Sequence, residues 1–271
     1  MKILLTNDDG IHAPGLRALW QALAPRHEVG LVAPESEQSA VGHAITLQSP
    51  LRVRKVYDNG NFLGYGVNGT PADCVKIGVS ELVGARPDLV VSGINLGPNV
   101  GINVLYSGTV SAATEGAILG IPSLAVSLAT HKKAVFTEAA EFVAGLIVRL
   151  KWENFPRQTL LNINIPALPK ERIKGVKFTR QAICAPQECF DRRIDPRENI
   201  YYWLSGQSQE CTSDPDVDSA ALEAGFITIT PLHYDLTHYE VLKQLCSSVV
   251  TGSDPSICSW ENIFPGRATP D

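Results

Sequence analysis

From its first residues the chain alternates short apolar runs with helical patterns, and few folds accept that order. Lys2–Thr6 is one such run, and Leu16, Leu19, Trp20 and Leu23 follow at the i, i+3, i+4, i+7 spacing of an amphipathic helix. Pro14 suits a first helical turn, Pro25 stops the helix, and Val29–Ala33 is a second apolar run closed by Pro34. Pro71 then opens a helical pattern through Val75, Val79 and Leu82, and Leu89–Val91 reads as the next buried strand. A helix over about Thr109–Leu119, a strand at Ser123–Ser127 and a helical pattern from Val135 to Leu150 continue the series. These runs predict an α/β fold, a mostly parallel sheet with helices on both faces.

Two regions depart from the alternation. Leu51, Val53 and Val56, then Phe62–Val67, flank the turn-rich Asp58-Asn59-Gly60-Asn61, which predicts a β-hairpin inserted at about 45–67. After Leu160–Ile165 the segment from Pro166 to Pro169 ends the pattern, and Gly175–Thr179 and Phe226–Thr230 read as further strands. Residues 180–217 have no clear period and read as a long loop or arm, and the tail after Val250 is rich in Ser, Gly and Pro. The expected organisation is a catalytic core over 1–166 and a carboxy-terminal extension over 167–271. Part of the extension returns to the core at 226–235. Apolar strands in want of a partner surface, and an arm too long for a compact monomer, predict a homo-oligomer in which the rest is exchanged between subunits.

Composition narrows the function classes. With 44% apolar and 19% charged residues and a net charge of −5, the chain is a globule whose acidic balance argues against polymeric nucleic acid. A mononucleotide, needing one small site, stays open. Gly116–Ala129 is too short to span a bilayer and is interrupted by Pro122, and Lys2 precedes only Ile3–Leu5 before polar residues, so neither a membrane span nor a secretory leader is expected. Six cysteines without a Cys-x-x-Cys pair read as reduced thiols in a cytoplasm.

The chemistry is expected where strands end, because ligands of open α/β sheets bind outside the carboxyl ends of the strands. Asn7-Asp8-Asp9-Gly10 stands at the end of the first strand. Adjacent strand residues point to opposite faces, so Asp8 and Asp9 share an ion only if the backbone turns, which Gly10 permits. Two adjacent carboxylates call for a cation, and hard oxygens suit Mg²⁺ or Mn²⁺; the same residues also make a solvated turn. A second strand end carries Ser92-Gly93-Ile94-Asn95-Leu96-Gly97-Pro98-Asn99-Val100-Gly101, where Asn95 offers a neutral carbonyl oxygen and the glycines let backbone approach an anion. That loop equally serves as a set of turns. Ser107, Gly108 and Thr109 precede a helix and form either a phosphate cradle or an ordinary N-cap. Ser39, in the loop after the second strand, is a hydroxyl ligand or a turn residue.

Other matches are set aside. Gly64-Tyr65-Gly66-Val67-Asn68-Gly69 fits G-x-G-x-x-G but lies in the hairpin's return strand rather than in the first βα turn. No histidine pair has zinc spacing. Arg192, Arg193 and Arg197 alternate with Asp191 and Asp195, the pattern of a solvated ion-pair cluster.

Taken together, Ile3–Ile11 with Ala13-Pro14-Gly15, Gln38-Ser39, Gly69–Val75, Ser92–Gly101 and Tyr106–Val110 resemble the SurE survival-protein family of metal-dependent 5'-nucleotidases. The match is nearly continuous from Met1 to Ser127 and returns at Asn162–Pro166, Asp218 and Gly225–Asp235. The resemblance implies a Rossmann-like core and one divalent cation per subunit, held by Asp8, Asp9, Ser39 and Asn95. It places phosphate contacts at Asn99, Ser107, Gly108 and Thr109, and implies a homodimer or homotetramer with an exchanged carboxy-terminal segment. Ala40 departs from the pattern, since the family more often has Gly there, and the 184–211 region is not diagnostic.

The expected activity is hydrolysis of nucleoside 5'-monophosphates by in-line attack of water, with Asp8 or Asp9 orienting the water or acting as nucleophile. A receiver-like phospho-signalling module would need a phosphoacceptor Asp at a central strand end, where this chain has Gly93-Ile94-Asn95. A nucleotide-binding regulator without turnover is the remaining alternative.

Overall fold

The structure, a computed structural model, describes residues 1–132, 134–156, 158–211 and 214–249. The chain divides into two compact units, Met1–His233 and Tyr234–Asp271. Among the described residues the first unit holds a nine-stranded sheet in the order β3-β4-β2-β1-β5-β6-β7-β11-β8. These strands are β1 (Lys2–Thr6), β2 (Glu28–Pro34), β3 (Val53–Asp58), β4 (Asn61–Val67), β5 (Leu89–Leu96), β6 (Ser123–Ala129), β7 (Leu160–Pro166), β8 (Val176–Phe178) and β11 (Ile227–Leu232). β1 lies parallel to both β2 and β5, and β5, β6 and β7 continue in parallel. The chain leaves β1 toward β2 on one side and reaches β5 on the other, so a crevice opens above the carboxyl ends of β1 and β5.

Alternate residues of the central strands serve the two faces. Ile3, Leu5, Leu89 and Val91 pack under α1 (Pro14–Leu23) and α5 (Thr137–Arg149), meeting Leu16, Leu19, Val143 and Ile147. Leu4, Val32 and Val90 face α2 (Pro71–Ile77) and α4 (Gly108–Ile118) through Val75 and Ala112. Each fully buried Leu, Ile or Val here contributes roughly 1.5–3 kcal/mol. The α/β reading of the sequence therefore stands, with helices on both faces. α2 starts at the capping box of Thr70 and Asp73, with Pro71 in its first turn.

The hairpin expected near 45–67 is β3–β4, turning at Asn59-Gly60, and β4 also pairs in parallel with β2, which makes it an edge of the main sheet. The G-x-G-x-x-G match begins inside β4. Two expectations for the extension need correction. The stretch expected as an aperiodic loop or arm holds regular structure, a separate antiparallel hairpin of β9 (Cys184–Ile194) and β10 (Ile200–Cys211). Phe190, Ile194, Tyr201, Tyr202, Trp203 and Leu204 are all exposed, so apolar residues occupy both faces and the period of two is lost. Nor do the strands near 176 and 227 lack a partner, because β11 pairs with β7 and β8 pairs with β11 in this chain's own sheet. α6 (Asp218–Glu223) lies between the hairpin and β11 in the chain, β11 falls in the stretch expected to return to the core at 226–235, and the compact unit runs to His233. In the second unit the described helix is α7 (Tyr239–Val249), and the tail after Val250 lies outside the described residues. No helix among the described residues is long and apolar enough to cross a membrane.

Candidate active site

At the end of β1 the buried Asn7 folds the backbone back on itself, its amide donating to the Gly10 carbonyl at 3.0 Å and its Oδ1 accepting from Gly10 N–H at 3.2 Å. Gly10 takes φ +100°, a value that L side chains rarely adopt, so the turn depends on it. Asp8 and Asp9 ride on this turn. Asp8 Oδ1 accepts from Thr109 Oγ1 at 2.5 Å, and a Cβ on Gly108 would stand 2.7 Å from Asp8 Cβ, so the start of α4 is seated directly against the carboxylate. The Asp8 carbonyl accepts from Gln38 N–H at 2.8 Å, which ties the loop after β2 to the same turn.

One cleft of roughly 440 Å³ gathers most of the expected residues: Asp8, Ser39, Asn95, Asn99 and Ser107 all line it. Asp9 is outside that lining, and the nearby Leu96 backbone acts to lower its carboxyl. Burial, then Asp8 and Glu37, push the Asp9 carboxyl up to about 7. Burial also raises Asp8, against the hydrogen bonds from Thr109. Every charge acting on these two groups is another carboxylate, the environment that a bound cation would relieve. Among the described residues no three Asp, Glu, His or Cys side chains are disposed to hold an ion, so neutral oxygens and water would have to complete a donor set. Asn95 fits that role, since its amide donates to the Gly97 carbonyl at 2.8 Å and leaves its own carbonyl oxygen for a ligand. Ser39 is exposed and its hydroxyl donates to Glu37.

On the anion side the expected residues have partners within the chain. Ser107 is the N-cap of α4, its Oγ accepting from Val110 N–H at 3.1 Å. Capping and a role beside an anion are compatible, because the Ser107 cap takes the Val110 N–H alone. Thr109, by contrast, is fully buried and spends its hydroxyl on Asp8. Asn99 is held from beneath: its N–H donates to Asn164 Oδ1 at 2.8 Å, its carbonyl accepts from Asn162 and Asn164, and its amide donates to Ser127 at 2.9 Å. Asp218, fully buried, accepts from the N–H groups of Gly101, Ala182 and Ser219 and ties the same loop to α6.

Sequence reasoning did not assign roles to Glu37, Asn162, Asn164, Ser127 or Asp218. Asn162 and Asn164 left a signal, since two polar residues at i, i+2 on one face of the apolar run Leu160–Ile165 require buried partners. The arginine cluster is as expected in one pair, Arg193 to Asp191 at 2.7 Å; Asp195 instead accepts from the backbone of Arg197 and Asn199.

The family model described as survival protein SurE matches residues 3–188. A 5'-nucleotidase SurE of Syntrophobacter fumaroxidans is 54% identical over 90% of this chain and 98% of its own length. Its counterpart in Syntrophus aciditrophicus is 57% identical over 90% of this chain and 92% of its own. The crystal structure of the SurE protein from Aquifex aeolicus superposes with a TM-score of 0.78 at 42% identity, covering 91% of this chain and 99% of that one. A paired-aspartate turn, a capped helix seated on it and an identity of this order along nearly the whole chain leave one assignment: the chain belongs to the SurE family.

Proposed function

We propose that Asp8, Asp9, Ser39 and Asn95 hold one divalent cation, Mg²⁺ or Mn²⁺, and that Asn99 and the first turn of α4 receive the phosphate of the substrate. The activity is that of a 5'-nucleotidase, a phosphomonoester hydrolase. The observation that carries the site assignment is that Asp8, Ser39, Asn95, Asn99 and Ser107 line one cleft above the ends of β1 and β5. A bound divalent cation would supply Lewis acidity and neutralise charge on a phosphoryl oxygen. Asp8 is a fixed ligand, aimed by Thr109. Asp9, on the same turn as Asp8, orients the attacking water. Asn99 and the Gly108 N–H hold the transferring phosphoryl group by preorganised donors, so little reorganisation is needed as charge develops.

Thr109, expected among the phosphate contacts, instead supports Asp8 through its hydroxyl and its backbone. A cytoplasmic homodimer or homotetramer, with exchange confined to segments beyond the sheet, completes the reading. Phosphate release assayed across nucleoside 5'-monophosphates tests it: release is expected from several of them, and none from any would overturn it.

A further inference from the structure

The cleft has a buried polar floor and an exposed apolar rim. Asp8, Asn99 and Ser107 are 7%, 8% and 6% exposed, whereas Leu96, Tyr106 and Leu204, which line the same cleft, are 37%, 51% and 48% exposed. The cation and phosphate chemistry uses polar groups of the cleft and leaves the apolar rim unexplained. The rim residues come from three elements: the end of β5, the end of α3 (Asn103–Tyr106) and strand β10 of the hairpin. Tyr106 precedes the α4 N-cap, so its ring stands one residue from the proposed phosphate site, and its carbonyl accepts from Gly42 N–H at 3.0 Å, which fixes the backbone that carries it. Leu204 is paired with Phe190 in the antiparallel ladder, so the hairpin presents it from a regular strand.

A molecule that satisfies both zones has an anionic end for the floor and a flat apolar face for the rim, with a polar spacer between. A nucleoside 5'-monophosphate has this construction. We propose that Tyr106 and Leu204 form the base subsite, so that the β9–β10 hairpin belongs to the substrate pocket; this rests on the 5'-nucleotidase reading. Stacking on an aromatic ring tolerates every base, because every base has a π-face. The subsite therefore discriminates phosphomonoesters that carry a base from those that do not, and discriminates little among bases.

The test compares kcat/KM for adenosine 5'-monophosphate with that for ribose 5-phosphate, using full-length protein with Mn²⁺. Tyr106→Ala is expected to lower the ratio about tenfold, in the range for loss of one base–aromatic stack, and Leu204→Ser about threefold, as for part of an exposed apolar contact. Tyr106→Phe should restore the ratio, since it keeps the ring. Turnover of ribose 5-phosphate by each variant shows that the floor is intact. Equal losses on both substrates, or an unmodified enzyme that uses the two equally well, would overturn the base subsite. Phosphate released from neither substrate by the unmodified enzyme would overturn the nucleotidase reading itself, which is a separate result.

Discussion

Asn99 and Ser39 face the same cleft, yet Asn99 is held by four hydrogen bonds from buried partners while Ser39 donates to the exposed Glu37. The loop around Asn99 rests on Asn162, Asn164, Ser127 and Asp218, all fully buried. The loop around Ser39 is tied at its ends, by Gln38 N–H to Asp8 O and Gly42 N–H to Tyr106 O, and just beyond by His43 to the buried Glu115 at 2.9 Å. Between these ties Ala40 takes φ +54°. One wall is ordered before any ligand arrives and the other can adjust to it. Binding through the first avoids ordering entropy at the moment of association, so losses there should be large, and losses on the Ser39 side should be small.

The largest effect is expected at the turn that both loops adjoin. Asp8→Asn would remove a charged ligand of the proposed cation, and because loss of an outer-shell partner already costs roughly 10–100-fold, phosphate release should fall by more than about a hundredfold. Calorimetric titration with Mn²⁺ should show a parallel loss of affinity. Next comes the ordered wall. Asn164→Leu strands the Asn99 N–H without its partner, an unsatisfied buried donor that costs about 1–3 kcal/mol, and thermal unfolding should register it together with a raised KM. A raised KM in Ser39→Ala larger than in Asn164→Leu would reverse the comparison.

Thr109→Val separates two roles for one residue. If the hydroxyl aims Asp8, as its 2.5 Å bond indicates, metal affinity should drop roughly 10–100-fold; if it served phosphate alone, metal affinity would hold and only KM would move. The pH dependence of the metal-free protein is a gentler probe. Burial, Asp8 and Glu37 raise Asp9 from 3.8 to about 7, so the folded state holds that proton more tightly than the unfolded state does. The resulting stabilisation is present in full below the ordinary carboxylate value and is lost as pH rises through about 7. The thermal midpoint of metal-free protein should therefore decline across that window, and saturating Mn²⁺ should flatten the decline. A decline unaffected by the ion would mean that Asp9 is not a ligand. The smallest effect is at Ala40→Gly, which relieves a left-handed alanine by about 1–2 kcal/mol but restores unfolded-chain entropy worth about 0.4–1 kcal/mol. A slight rise in thermal midpoint is expected, and a fall would show that the loop gains from its strain.

The same contrast explains what could be read before the structure. Asp8, Asp9 and Gly10 were legible because a strand ending in two carboxylates and a glycine has few uses, and the Ser107 cap because a helical period begins directly after it. The supports of Asn99 were harder to find, since Asn162, Asn164 and Asp218 act through backbone groups far away in sequence, and only their misfit in apolar surroundings hints at them. The hairpin was illegible for a different reason. A two-stranded ribbon with exposed apolar residues on both faces, such as Tyr202 and Trp203, carries no inside-outside alternation. Ala40 could be flagged as unusual, but its positive φ is set by the path from Gln38 to Gly42 and not by neighbouring sequence.

On the proposed reading, hydrolysis depends on a cation held at the ends of β1 and β5. The most direct measurement is phosphate release from adenosine 5'-monophosphate by chelator-stripped protein, before and after stepwise return of Mn²⁺ or Mg²⁺. Release should be negligible when stripped and recover to saturation at one ion per subunit, with the recovery lost in Asp8→Asn. Full turnover in excess chelator, or equal recovery in Asp8→Asn, would contradict it.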